Sequence, residues 1–183
     1  LAGNAEATTS SATFTFNRQM PMTSLSAPLP AIARYSSLPT ISGTASDSGS
    51  GALGVKEIQL RVKNNTVGAW WNGISAAAPA FDIADLNMET AWVTVLSTNA
   101  LWTSWSLDYS FTSGRNYSVV ARSKDNNGTF DADYSTGTFT FDTDKPQSVV
   151  SFPAAGSFIQ AFDVGASSIT GTSAETGINP GAV

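Results

Sequence analysis

Carboxylates are the most abundant reactive groups in this chain of 183 residues, ten Asp and four Glu against nine Lys and Arg. Asp125, Asp131, Asp133, Asp142 and Asp144 crowd around the last alternating segment and the linker that follows it. Oxygen-rich loops at a junction suit Ca2+, which takes about six to eight oxygens in flexible geometry. Asp142 and Asp144, joined by Asp125 and Asp47, are therefore the candidate calcium ligands. Turn chemistry competes with that reading, because Asp is also a turn residue and Asp125-Asn126-Asn127-Gly128 lacks the Asp-x-Asx-x-Asx-Gly spacing of a calcium loop. Asp131 and Asp133 are paired carboxylates of the kind a glycosidase uses, but nothing in the sequence supplies a cleft or raises either pKa. The chain has no His and no Cys, which removes imidazole and thiolate metal sites, cysteine nucleophiles and every Ser–His triad. No enzymatic activity and no cofactor other than calcium is expected.

Aromatic residues offer a second chemistry. Trp70, Trp71, Trp92, Trp102 and Trp105 fall in one stretch, where each can bury about 150–250 Å² in a core or face outward as a sugar platform. Neighbours in a strand point to opposite faces, so Trp70 and Trp71 cannot share one buried face without a bulge. One of that pair, with Trp102, is the candidate for an aromatic surface. The sparse lysines, Lys56, Lys63, Lys124 and Lys145, are the amines from which a Lys–Asn amide cross-link would be built. Three Asn-x-Ser/Thr triplets, at Asn64, Asn116 and Asn127, match the glycosylation pattern, as chance predicts in so Asn- and Thr-rich a chain.

A net charge of −5 with few cations argues against nucleic acid as a partner, since that affinity rests on Lys and Arg. No apolar run reaches the roughly 20 residues of a membrane span, and Leu1-Ala2-Gly3-Asn4 carries no signal-peptide features, so any targeting signal is expected outside this segment. Low charge together with Ser, Thr, Gly, Asn and aromatic residues suits half-buried strands of an extracellular or cell-surface protein.

The elements that must position these groups are organised by an internal repeat. Thr13-Phe14-Thr15-Phe16-Asn17 returns as Thr138-Phe139-Thr140-Phe141-Asp142 at an offset of 125, which Pro21 and Pro146 keep. Ile41-Ser42-Gly43-Thr44-Ala45-Ser46 returns as Ile169-Thr170-Gly171-Thr172-Ser173-Ala174 at an offset of 128. The repeat predicts that residues 1–17 end one unit, or act as a donor strand, that residues 18–142 form a complete unit, and that residues 143–183 are a linker and the first strands of a third.

Within the complete unit, Ile58, Leu60 and Val62 alternate with Gln59, Arg61 and Lys63, and Tyr117, Val119 and Ala121 alternate with Ser118, Val120 and Arg122, so the first-named residues of each set, with Phe139 and Phe141, face inward and the others outward. The parity of Leu101, Thr103, Trp105 and Leu107 places Trp105 and Leu107 in the core and Trp102 outside it. Helical signal is confined to one or two turns within Phe81–Met88. Seven or eight short strands joined by Gly, Pro, Ser and Asn turns predict an all-β antiparallel sandwich. Tyr117, two residues before an inward position, fits a tyrosine corner whose hydroxyl bonds backbone a few residues upstream.

The segments 41–51, 55–61, 71–73, 116–125 and 138–142, followed by Lys145-Pro146, resemble the immunoglobulin-like repeats strung through very large bacterial secreted and surface proteins. The resemblance spans residues 38–176. It implies an immunoglobulin-like sandwich in a tandem or head-to-tail array, serving as a spacer or adhesive stalk with no catalytic residues. The Asp125-Asn126-Asn127-Gly128-Thr129 turn departs from the repeats' usual turn, and the linker Asn17-Arg18-Gln19-Met20-Pro21 departs from Asp142-Thr143-Asp144-Lys145-Pro146. The expected partners are copies of the chain or adjacent repeats, and surface glycans. Thr13, Phe14, Thr15 and Phe16 at one end, and Ile169, Thr170, Gly171 and Thr172 at the other, are the expected assembly strands. The alternative is a carbohydrate-binding or accessory module of a secreted hydrolase that uses exposed Trp.

Overall fold

The computed structural model describes residues 10–14, 16, 19–95, 99, 101–158 and 169–174. Twelve strands are found among them: β1 Met22–Ala27, β2 Arg34–Tyr35, β3 Thr40–Ser46, β4 Val55–Asn64, β5 Ala69–Trp71, β6 Phe81–Ile83, β7 Val93–Val95, β8 Trp105–Asp108, β9 Arg115–Asp125, β10 Ser135–Phe141, β11 Gln147–Phe152 and β12 Thr170–Ala174. The first ten make two sheets. One has the order β1-β3-β8, and the other has the order β2-β10-β9-β4-β5-β6, with β7 on the same edge of β4 as β5. All pairings are antiparallel except β2 with β10, which run parallel at Thr140–Phe141.

Period-2 patterning decides the core. On β4 the inward residues Ile58, Leu60 and Val62 are fully buried, and on β9 the inward face runs through Tyr117, Val119, Ala121, Ser123 and Asp125. Trp105, Phe139 and Phe141 join them, with Leu107 half-buried at the margin. Gly43 shows why one position there must lack a side chain: a Cβ would stand 2.3 Å from the Ser24 carbonyl oxygen and 2.3 Å from the Trp105 ring. The ring of Trp105 therefore lies directly over β3.

Two expectations need correction. Trp102 precedes β8 and adopts a left-handed backbone (φ 57°), a conformation costly for a bulky residue. This turn breaks the parity of the strand and returns the indole half-buried against the core. The backbone is held there by the Ala45 amide donating to the Trp102 carbonyl (3.2 Å) and the Trp102 amide donating to Asn99 (3.2 Å). The expected turns within Phe81–Met88 are divided between strand β6 and a 3-10 segment, Asp85–Ala91.

The two ends of the sandwich define its poles. β1 starts opposite the end of β3 (Met22 with Ser46), and that pole also carries the Asp47–Gly54 loop and the β9–β10 turn. β10 ends opposite the start of β9 (Phe141 with Arg115) at the other pole. The chain thus enters at one pole and leaves at the opposite one.

β11 and β12 form a separate two-stranded sheet. Their register is Gln147 with Ala174, Ser148 with Ser173, Val149 with Thr172, Val150 with Gly171 and Phe152 with Thr170. β1 and β3 pair as Met22 with Ser46, Thr23 with Ala45, Ser24 with Thr44, Leu25 with Gly43 and Ala27 with Ser42. The two lists correspond position by position at the offsets of the sequence repeat, including the irregularity that skips Ser26 in one and Ser151 in the other.

Candidate functional site

The four proposed calcium ligands divide between the poles. Asp47 and Asp125 lie at the entry pole, where Asn126 links their loops by donating from its side chain to the Leu53 and Gly54 carbonyls (2.8 and 3.2 Å). Asp142 and Asp144 lie at the exit pole. Eleven residues of β9 separate the two ends, a span of roughly 35 Å at about 3.3 Å per residue, so the four cannot share an ion. Each of the three shielded carboxylates closes a turn. Asp47 Oδ2 accepts from the Leu53 and Gly54 amides (3.0 and 2.9 Å), and Asp125 Oδ1 accepts from those of Asn127 and Thr129 (2.9 and 2.7 Å). Asp142 Oδ1 accepts from the Ser113 hydroxyl and the Asp144 amide (3.3 and 3.0 Å), whereas Asp144 is exposed. Among the described residues no three acidic side chains gather into a metal cluster.

A different group of side chains converges on the outer face of the larger sheet. Arg61 and Lys63 on β4, and Arg122 and Lys124 on β9, all point outward. The register pairs Gln59 with Arg122 and Arg61 with Val120. Aromatic rings slot between the cations, giving the order Lys63, Trp70, Arg61, Trp92, Arg122, Phe130, Lys124. The Arg61 guanidinium is 4.7 Å from the Trp70 ring and 4.4 Å from Trp92, and Arg122 is 3.9 Å from Trp92 and 4.1 Å from Phe130. Lys63 and Lys124 cap the two ends at 5.5 and 5.1 Å. Each such contact is worth about 0.5–2 kcal/mol according to its desolvation.

Acids from the 3-10 segment lock the stack. Glu89 accepts from Arg61 and from the Trp92 indole N–H (2.9 and 3.0 Å), and Asp85 accepts from Lys63 and from the Trp70 indole N–H (2.7 Å each). These bonds hold both carboxyls below the usual range: for Glu89 the Trp92 bond leads and Arg61 adds to it, and for Asp85 the Lys63 bond leads and Trp70 adds to it. The 3-10 segment also explains why Arg61 is only 8% exposed on a face that alternation assigns to solvent. Trp70, Ala91 and Val120 form a small second core beneath it. The alternation of long cations on two neighbouring strands beside out-of-phase tryptophans was the available signal for this stack, and reading the tryptophans by themselves missed it.

Trp70 and Trp71 are both buried, on opposite faces. Trp71 lies between the sheets and Trp70 lies under the 3-10 segment, with a register irregularity between them in the β5–β6 pairing. Neither offers an open ring, and the half-buried Trp102 packs on the core. Tyr117 does what its position predicts: its hydroxyl accepts from the Thr112 amide (3.1 Å) and donates to the Thr112 carbonyl (3.4 Å). Lys63 and Lys124 are engaged with Asp85 and Glu57 rather than with Asn. Asn64 is buried, its side-chain oxygen accepting from the Thr66 and Val67 amides.

Of the expected assembly strands, Thr13, Phe14 and Phe16 lie in no strand, with Phe14 85% exposed against 1% for Phe139. Thr15 falls outside the described residues, as do residues 1–9 and 175–183. Thr170, Gly171 and Thr172 form β12, Ile169 precedes it, and all four are exposed. No helix among the described residues is long and apolar enough to cross a membrane. The chain matches no protein-family model and no curated protein.

Proposed function

We propose that this chain is part of a tandem array of immunoglobulin-like sandwiches, a structural repeat of an extracellular bacterial fibre, stalk or giant surface adhesin without enzymatic activity. The observation that carries the reading is the strand pair β11–β12, which repeats β1–β3 residue for residue and bulge for bulge. Three further features support it. The strand order, with a short first-edge strand running parallel to the last strand, suits an immunoglobulin-like topology. The tyrosine corner at Tyr117 pins the crossover into β9. Entry and exit at opposite poles let successive units follow end to end without doubling back.

Tandem linkage is favoured over exchange of strands between separate chains. β11–β12 corresponds to the opening pair of a sandwich and Thr13–Phe16 to its closing strand, and these together leave the middle strands unsupplied. A continuous polypeptide supplies all of them. The carbohydrate-module reading needs a free aromatic platform. Burial of Trp70 and Trp71, and the guanidinium groups on the Trp92 ring, speak against it.

The test is a fusion in which residues 1–174 run directly into residues 47–183 of a second copy, since Ala174 takes the place of Ser46. The expected result is two force-extension steps of equal size, each releasing about 40 nm, from about 120 residues at about 3.4 Å apiece. A single step, with β11 and β12 still unprotected from hydrogen exchange, overturns the proposal.

A further inference from the structure

The exit pole carries a socket that the described residues leave open. It is a cavity of about 360 Å³ between the segment leading into β3 and the β8–β9 connection. Leu38, Tyr109, Phe111 and Phe141 form its apolar floor, and the exposed Ser37 and Thr143 stand at its rim. Tyr109 is 3% exposed, with its ring against Phe111 and Trp71 (centroids 4.6 and 5.2 Å). Its hydroxyl, shut away from solvent, has no hydrogen-bond partner among the described residues. A buried phenol ordinarily finds one, so the socket suits an occupant with an apolar body and a polar atom for Tyr109.

The chain itself delivers a segment to this place. Only residues 142–146 join β10 to β11, and they are tied down at the pole: the Thr143 amide donates to Ser113 Oγ (2.9 Å) and the Asp144 amide to Asp142 Oδ1 (3.0 Å). From Thr143 to Gln147 the backbone spans at most about 14 Å. Gln147 pairs with Ala174, about 5 Å away across an antiparallel ladder. Since β12 runs antiparallel to β11, it ends where β11 begins, and residues 175–183 leave it beside the linker. That segment, Glu175-Thr176-Gly177-Ile178-Asn179-Pro180-Gly181-Ala182-Val183, carries a large aliphatic side chain four residues past β12. The turn closed by Asp142 shortens the linker, so those four residues, about 14 Å of chain, bring Ile178 back to the rim.

We propose that residues 175–183 dock on the exit pole, with Ile178 filling the socket and the backbone beside it accepting from the Tyr109 hydroxyl. Burial of Ile178 against Leu38, Phe111 and Phe141 supplies the apolar driving force. The proposal deepens the tandem reading and rests on it in one respect: residues 175–183 follow β12 as the Asp47–Gly54 loop follows β3, so the docked segment is the entry-pole loop of the next unit. Its seat on the socket fixes the angle between successive sandwiches, which a short linker alone leaves free.

The chain has no Cys, so introduced pairs report proximity without background. In the 183-residue chain, Ser37→Cys with Ile178→Cys should close an intrachain disulfide under mild oxidation, read by mass spectrometry as the loss of two hydrogens. Val67→Cys with Ile178→Cys is the control, because Val67 is exposed on the turn after β4 at the same pole but outside the socket. The socket pair should close about tenfold faster, through its higher effective concentration. Tyr109→Phe supplies a second readout: with the hydroxyl bonded to the docked segment, its loss should lower the urea midpoint by about 0.5 M. In an Ile178→Asp background, where the segment is expelled, the same change should leave the midpoint unchanged or raise it, since it then removes an unpaired buried group. Equal cross-linking of the two pairs, or a Tyr109→Phe shift that is the same in both backgrounds, overturns the docking. The fusion of two copies carries Asp47–Gly54 in place of residues 175–182 at its internal junction, so its force steps report on the array whether or not Ile178 docks.

Discussion

Gly43→Ala places a single methyl group in the middle strand of the three-stranded sheet, where β1 backbone and the Trp105 ring of β8 close over β3. Gly43 is in ordinary extended conformation, so alanine meets no backbone strain there and the effect is steric. The new Cβ would lie 2.3 Å from the Ser24 carbonyl oxygen and 2.3 and 2.6 Å from two atoms of the Trp105 ring. Neither obstacle yields easily, because Ser24 is backbone in the β1–β3 ladder and Trp105 is buried in the core. Overpacking of a filled core costs about 1–3 kcal/mol, and rigid neighbours put this site at the upper end. Replacing glycine in a strand returns about 0.5–1 kcal/mol, leaving a net loss of about 2 kcal/mol. With a urea m-value of about 2 kcal/mol/M, the midpoint should fall by about 1 M. Adding Trp105→Phe, which shortens the ring, should relieve part of the loss, so that the double variant is less damaged than the sum of the single ones. Gly171→Ala is the matched control. It occupies the same register on β12, where its Cβ would meet the Val149 carbonyl oxygen at 2.6 Å, but in the separate β11–β12 sheet, so the sandwich midpoint should not move. A Gly43→Ala midpoint within about 0.2 M of the parent, or strict additivity with Trp105→Phe, would refute this account of the packing.

Tyr117→Phe removes both bonds to Thr112 and should cost about 1–2 kcal/mol in urea titrations; an unchanged midpoint would show that the hydroxyl pins nothing. Trp92→Ala deletes the ring between Arg61 and Arg122 and frees Glu89 from the indole, and should cost about 2–3 kcal/mol. A loss below about 0.5 kcal/mol in the same titration would mean that the stack is surface decoration. Burial raises the carboxyl of Asp131, opposed by its Ser123 hydrogen bonds. Folding therefore favours its protonated form, and that contribution is complete below the unfolded-state pKa of about 3.9 and fades as pH rises through the higher folded-state value. Asp131→Asn should then gain stability relative to the parent as pH is raised from about 4 to 7, and a pH-independent difference between the two proteins would contradict the sign. Asp85 and Glu89 act in the opposite sense, their contribution being lost as pH falls.

How much of this was legible in the sequence depends on the range of the interaction concerned. Side chains alternate along a strand because of local backbone geometry, so Ile58, Leu60, Val62, Tyr117, Val119, Ala121, Phe139 and Phe141 could be placed inside without knowing their neighbours. The repeat was equally legible from its offsets of 125 and 128, whereas the pairing of β1 with β3 and of β11 with β12 in matching register came from the structure. The tyrosine corner also followed from a local spacing.

Only the tertiary structure decided what covers each face and which loops meet. Alternation assigned Arg61, Val120 and one tryptophan of the Trp70-Trp71 pair to solvent; the 3-10 segment Asp85–Ala91 folds over that face and buries all three. Trp102 left its assigned face because a single left-handed residue breaks the alternation that parity assumes. Five aspartates close together in sequence were separated because β10, seven residues long, carries the chain from one pole to the other between Asp133 and Asp142. Asp131, by contrast, came to face Thr23 across more than a hundred residues of chain. Alternation is a property of the backbone and travels with the sequence, whereas covering a face or closing a cavity requires partners distant in the chain, and no local pattern specifies which distant segment arrives.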